Sequence, residues 1–187
     1  MTRFILVMPG ETDWSKEDRI KGCLDIPLND RGIKQAAGLA QQLDQYEIDL
    51  LYSSPLSRSC ETAGMIADLK EIKIKKNKDF QELNQGLWQG LLVTEARKRY
   101  KKVYTLWEES PLAAAPPQGE SIADIKNRVI RAINKLISKH RNETICIVGH
   151  KVVNAIIKSH YLKLDLNKLW QILPDEGTWE VLDISNG

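Results

Sequence analysis

Cysteine is scarce in this 187-residue chain, net charge is almost absent, and no apolar run is long. Each shortage removes a class of function. The three cysteines, Cys23, Cys60 and Cys146, are odd in number and lack CxxC spacing, so neither a disulfide framework nor a zinc site is indicated. A reduced, cytoplasmic setting is the expectation. Lys+Arg 27 against Asp+Glu 25 leaves +2, too little to point to nucleic acid or a membrane surface. The apolar run in MTRFILVMPG is too short for a signal peptide, and nothing later could span a bilayer. Repeats, low-complexity tracts and interdomain linkers are missing as well. One domain over residues 1–187 is therefore expected, with 42% hydrophobic and 28% charged residues as in ordinary globular chains.

A sharper absence lies within Arg3 to Trp14. Phe4, Ile5, Leu6 and Val7 form a short apolar run, the pattern of a strand buried on both faces. It stops at Pro9-Gly10, a pair that ends strands by removing a donor and freeing φ. In open α/β folds, ligands sit just beyond the carboxyl ends of such strands. What stands there is Met8, Pro9 and Gly10: a thioether, an imino-acid ring and bare backbone. None is a nucleophile, an acid or a base.

What is present is regular alternation. Residues 16–29 read as a loop, and Asn29 or Asp30 caps a helix running to about Gln45. Asp49 to Ser53 is a second strand, Leu56 to about Leu69 a helix, and Ile72 to Ile74 a weak strand. Thr94 to Glu109 reads as one helix carrying the basic run Arg97 to Lys102, a solvated face. Ser121 with Asp124 forms a capping box before a helix with Ile122, Ile125, Val129, Ile133 and Leu136 on one side. TICIV (Thr144 to Val148) is a second buried strand, ending at Gly149-His150 before a helix to Tyr161. Trp179 to Ile184 closes the chain as a strand. Strands alternating with helices argue a three-layer α/β/α sandwich with a mainly parallel central sheet.

Polar residues beyond the strand ends are the candidates for chemistry. Of the three histidines, only His150 stands at a strand end opening a helix, where anions bind. His140 lies in a polar helix end, and His160 reads as a packing residue. Arg58, in the first turn of its helix, opposes the macrodipole. It is either a surface arginine paired with Glu61 or Glu11, or the fork of an anion site. Glu82, near Gly86 and Trp88, is a candidate general acid or a solvated carboxylate.

These segments together resemble the histidine phosphatase superfamily, in its phosphoglycerate-mutase-like branch. The resemblance rests on GETDW (Gly10 to Trp14), Gly22 with DIPLNDRG (Asp25 to Gly32), and SSPLSR with ETA (Ser53 to Ala63). ELNQGLWQG (Glu82 to Gly90), PPQGES (Pro116 to Ser121) and VGH (Val148 to His150) complete it, and the length resembles that of small phosphatases such as α-ribazole phosphatase. It implies a phosphate-binding role for Arg58, a proton-donor role for Glu82 and a second pocket histidine in His150. The family's first strand ends in Arg-His-Gly; here Met8 replaces the arginine and Pro9 the attacking histidine. Ser15 stands in place of a phosphate-contacting asparagine, and Lys151-Val152 replaces a glycine pair, with Lys151 able to restore a positive charge. Two readings of that pattern follow. One is a pseudophosphatase that keeps an anion or phosphate-ester pocket for a binding or regulatory role. The other is a phosphomonoesterase with an altered mechanism using His150 or Glu82. A third function, partner binding through the Arg97 to Lys102 helix, needs no pocket. Neither a metal nor a cofactor is implied.

Overall fold

Phe4, Ile5, Leu6 and Val7 are buried, as are Ile145 to Val148, because each strand packs helices on both of its faces. The computed structural model describes residues 1–184. In chain order its elements are β1 (Thr2–Val7), α1 (Asp13–Lys16), α2 (Asp30–Gln42), β2 (Leu50–Ser53), α3 (Ser57–Lys70) and β3 (Ile74–Lys76). They continue with α4 (Val93–Arg99), α5 (Lys101–Glu109), α6 (Ile122–Lys139), β4 (Thr144–Val148), α7 (Lys151–Tyr161) and β5 (Trp179–Ile184). The sheet order is β3-β2-β4-β1-β5. The first four strands are mutually parallel and β5 runs antiparallel along β1. Val7 and Ser53 both pair with Val148, so three strands end level on one edge.

Side chains alternate across this sheet and set the layers. Ile5, Val7, Leu51, Cys146 and Val148 meet Leu39 and Ala40 of α2 and Ala63 and Ile66 of α3. Phe4, Leu6, Ile145 and Ile147 face the other way, toward Ile125, Val129 and Ile133 of α6 and Val152, Val153 and Ile156 of α7. The expected three-layer α/β/α architecture is the one observed.

Local chemistry sets the helix starts. Ser121 Oγ accepts from Asp124 N at 3.1 Å while the Asp124 carboxylate accepts from Ser121 N at 3.1 Å, the reciprocal pair read from sequence. Asn29 Oδ1 accepts from Gly32 N at 2.8 Å and starts α2. Two expectations need correction. Lys16, expected to open the loop to Asn29, instead closes a short helix, since Thr12 and Ser15 cap each other and wind α1. The span expected as one helix is two, because Tyr100 leaves helical backbone (φ −115, ψ 34) and packs its ring toward Trp88. The basic residues Arg97, Lys98, Arg99, Lys101 and Lys102 are exposed, and Arg97 pairs with Glu108. Among the described residues, no helix is long and apolar enough to cross a membrane.

Candidate active site

The level strand ends deliver their following residues to one place. After β4 comes Gly149 and then His150, the N-cap of α7. After β2 comes Ser54, and the first turn of α3 adds Arg58 and Ser59. After β1 come Met8, Pro9 and Gly10. This last turn is held twice by the segment that leads into β5: Met8 N donates to Thr178 O at 2.8 Å and Gly177 N to Pro9 O at 2.9 Å. Glycines allow the next turn to press on α2, since a Cβ on Gly32 would lie 2.0 Å from Glu11 O.

His150 is 1% exposed. Its Nε2 lies 2.8 Å from Ser54 Oγ and 3.2 Å from Ser59 Oγ, and Ser59 Oγ also donates to Gly149 O at 3.1 Å. Burial, and then the charges of Arg58, Lys21 and Arg128, hold the imidazole well below its usual range, so it is neutral at physiological pH.

Arg58 is buried, 3% exposed, and is not the surface arginine of the alternative reading. It forms no ion pair with Glu61 or Glu11. Its Nη1 donates to Leu24 O at 2.8 Å and its Nη2 to Gly22 O at 2.9 Å. Glu61 instead accepts from Leu28 N at 2.8 Å, and Glu11 from Asn29 Nδ2 at 2.9 Å and Arg31 at 3.0 Å. A guanidinium held only by carbonyls in the fold keeps its full charge for whatever enters beside it.

Glu82 accepts from Leu83 N at 2.9 Å through Oε1 and from Val152 N at 3.3 Å through Oε2, and so binds the first turn of α7. Burial raises its carboxyl above the usual range, against the hydrogen bond from Leu83 and the charge of Arg58. Its backbone is fixed by Arg128 of α6, which donates to the carbonyls of Asp79, Gln81 and Glu82 while forking onto Glu120. Arg128 went unnoticed in the sequence because only its place on α6, opposite residues 79–82, gives it this task.

Arg58, Glu82, His150 and Lys151 line a single cavity of about 340 Å³, together with Met8, Gly10, Lys21 and Glu176. Pro9 is buried but does not itself line it. Ser15 also stands behind the lining: its Oγ donates to Glu176 Oε1 at 2.6 Å and accepts from Lys21 Nζ at 2.5 Å. Lys21 in turn pairs with Glu176 at 2.6 Å, and burial lowers its ammonium against that partner. Sequence reasoning missed both Lys21 and Glu176. They are 155 residues apart, and only the β1–β5 pairing brings the second to the first. His160 is exposed, not packed as expected, because it falls on the outer face of α7. Among the described residues, no cluster of histidine, cysteine and carboxylate could hold a metal ion.

Asn154 of α7 supports the β1 end from behind. Its Nδ2 donates to Val7 O at 3.0 Å, yet its Oδ1 is buried with no donor.

The ends of three strands thus bring a buried arginine, a neutral histidine and a desolvated carboxyl around one cavity. The family model described as histidine phosphatase superfamily (branch 1) matches residues 4–187. The chain belongs to this superfamily. Among its relatives is phosphoserine phosphatase 1 of Hydrogenobacter thermophilus, 35% identical over 182 residues, covering 97% of this chain and 86% of that one. Among solved structures, the α-ribazole phosphatase of Shigella flexneri superposes with a TM-score of 0.89 at 26% identity, over 98% of this chain and 91% of that one. A mycobacterial glucosyl-3-phosphoglycerate phosphatase, solved with inorganic phosphate, shares the fold at a TM-score of 0.86 and 24% identity, over 97% and 89% of the two chains. At the end of β1 this chain carries Met8-Pro9 before Gly10.

Proposed function

We propose that this protein is a pseudophosphatase: it binds an inorganic anion or a small phosphate ester in the cavity without turning it over, in a binding or regulatory role. One observation carries the reading. In the resemblance to the family's Arg-His-Gly strand end Pro9 falls at the position of the attacking histidine, and a proline nitrogen inside the chain is an amide with no free lone pair. Loss of a covalent nucleophile costs on the order of 10⁶ in rate in a comparable catalytic unit. Met8 adds to the loss by removing a bidentate contact to the transferring oxygens. His150 is a poor substitute, since its Nε2 is engaged by Ser54 and Ser59.

Anion binding has separate support. Arg58, Lys21 and Lys151 all line the cavity, and α7 presents its N-terminus there. The mycobacterial phosphatase binds inorganic phosphate on the same fold. In this reading residues 1–187 act as one domain in the cytoplasm, without metal or cofactor, Ser15 reaches the ligand only through Lys21, and any protein partner reads the liganded state.

A second reading, a phosphomonoesterase with water as nucleophile, is favoured by the raised carboxyl of Glu82 in the same cavity as neutral His150. A phosphomonoester assay separates the two. We expect p-nitrophenyl phosphate turnover near background at neutral pH, alongside measurable phosphate binding by calorimetry. Substantial turnover, lost on His150→Ala, would overturn the first reading and establish the second.

A further inference from the structure

The cavity is much larger than its charged groups require. Pockets of roughly 300–1,000 Å³ enclose a whole small molecule, and the 340 Å³ here leaves ample space beside an anion of phosphate size. The lining is uneven in character. The strand-end side supplies Lys21, Arg58, Glu82, His150 and Lys151, whereas α4, α5 and residues 166–173 supply Val93, Tyr104, Trp107, Trp170 and Leu173, with Glu108 as the one charged group among them.

We propose that the ligand carries a flat aryl body on its anionic group, held against the Trp107–Trp170 wall. This rests on the anion-site reading above and specifies its ligand class. The wall is rigid before any ligand arrives. Trp170 donates its Nε1–H to Trp107 O at 2.9 Å, and the two rings lie 4.9 Å apart at 49°. Trp107 stands edge-on to fully buried Trp88 at 5.9 Å and 76°, and Tyr104 packs on the same ring at 4.8 Å. A preformed aromatic surface loses little entropy on binding and favours offset or edge-to-face partners.

The same cavity disfavours a zwitterionic ester. Its carboxylates are engaged, Glu108 by Arg97, Glu176 by Lys21 and Glu82 by the N–H groups of Leu83 and Val152. A phosphorylated amino acid would have to break such a contact or bury its own ammonium unpaired.

The test compares inorganic phosphate, O-phosphoserine and phenyl phosphate as probes in calorimetric titration of the full chain. Phenyl phosphate should bind about tenfold or more tightly than either of the others, the scale of one ring contact. Trp170→Leu, which keeps an apolar side chain, should remove that preference and leave phosphate affinity unchanged. A readout free of mutation is the phenyl proton resonance, which should move upfield on binding through the indole ring currents. Equal affinity for all three probes, or unshifted phenyl protons in a saturated complex, overturns the aryl inference while leaving the anion site standing. No binding of phosphate or phenyl phosphate removes the anion site, and the aryl inference with it.

Discussion

His150 should make the fold acid-sensitive by a calculable amount. An unfolded histidine takes a proton near pH 6.5 or so. The folded one resists, being 1% exposed, engaged through Nε2 by two serines and surrounded by Arg58, Lys21 and Arg128. A folded-state value below the unfolded one gives full stability above the unfolded value and a loss as pH falls toward the folded one. One proton sets the ceiling on the loss, at most about 1.4 kcal/mol per pH unit below the unfolded value, and so no more than about 2 kcal/mol by pH 5. Glu82 acts in the opposite sense, because its raised carboxyl lets the fold bind a proton before the unfolded chain does. His160, lowered by burial and then Lys126, adds a loss of the same sign as His150. Comparison with His150→Asn cancels both, and asparagine keeps a good N-cap for α7. Urea unfolding of the two proteins from pH 8 to pH 5 should give curves that diverge below pH 6.5, the natural protein losing the extra amount. Parallel curves would show that His150 protonates in the fold and would refute the account of its burial.

Three further outcomes follow from the site. Met8→Arg with Pro9→His should raise p-nitrophenyl phosphate turnover far above the product of the single changes, since nucleophile and clamp act as one unit; additive effects would break that link. Glu176→Gln should tighten phosphate binding by about 1 kcal/mol in calorimetry, because it removes the carboxylate that holds Lys21 at 2.6 Å; weaker binding would mean that Lys21 does not face the anion. Pro9→Ala should lose about 1 kcal/mol in thermal or urea unfolding, because the unfolded chain regains freedom that the proline ring removes, and a gain would show that the new N–H finds a buried acceptor.

Much of this was legible in the sequence. The buried strands at Phe4–Val7 and Thr144–Val148 declare themselves through apolar runs bounded by glycine, and their parallel adjacency follows from the helices between them. The cap at Ser121 is local and was read correctly. His150 and Glu82 could be named because they follow recognisable strand and loop ends. Their surroundings could not. That Arg58 is buried depends on Gly22 and Leu24, which reach it from 36 and 34 residues away. Tyr100 breaks a helix that its neighbours' propensities favour, since its ring has a place near Trp88. The Lys21–Glu176 pair and the Trp107–Trp170 wall join segments distant in the chain, and no periodicity marks either.

Asn154 also marks where the fold holds stability in reserve. One arm of its amide is bonded to Val7 O, and the other is a buried acceptor without a donor. Such an acceptor has lost its water without gaining a partner. The end of β1, which delivers Met8 and Gly10 to the cavity, is therefore supported by a contact only half made.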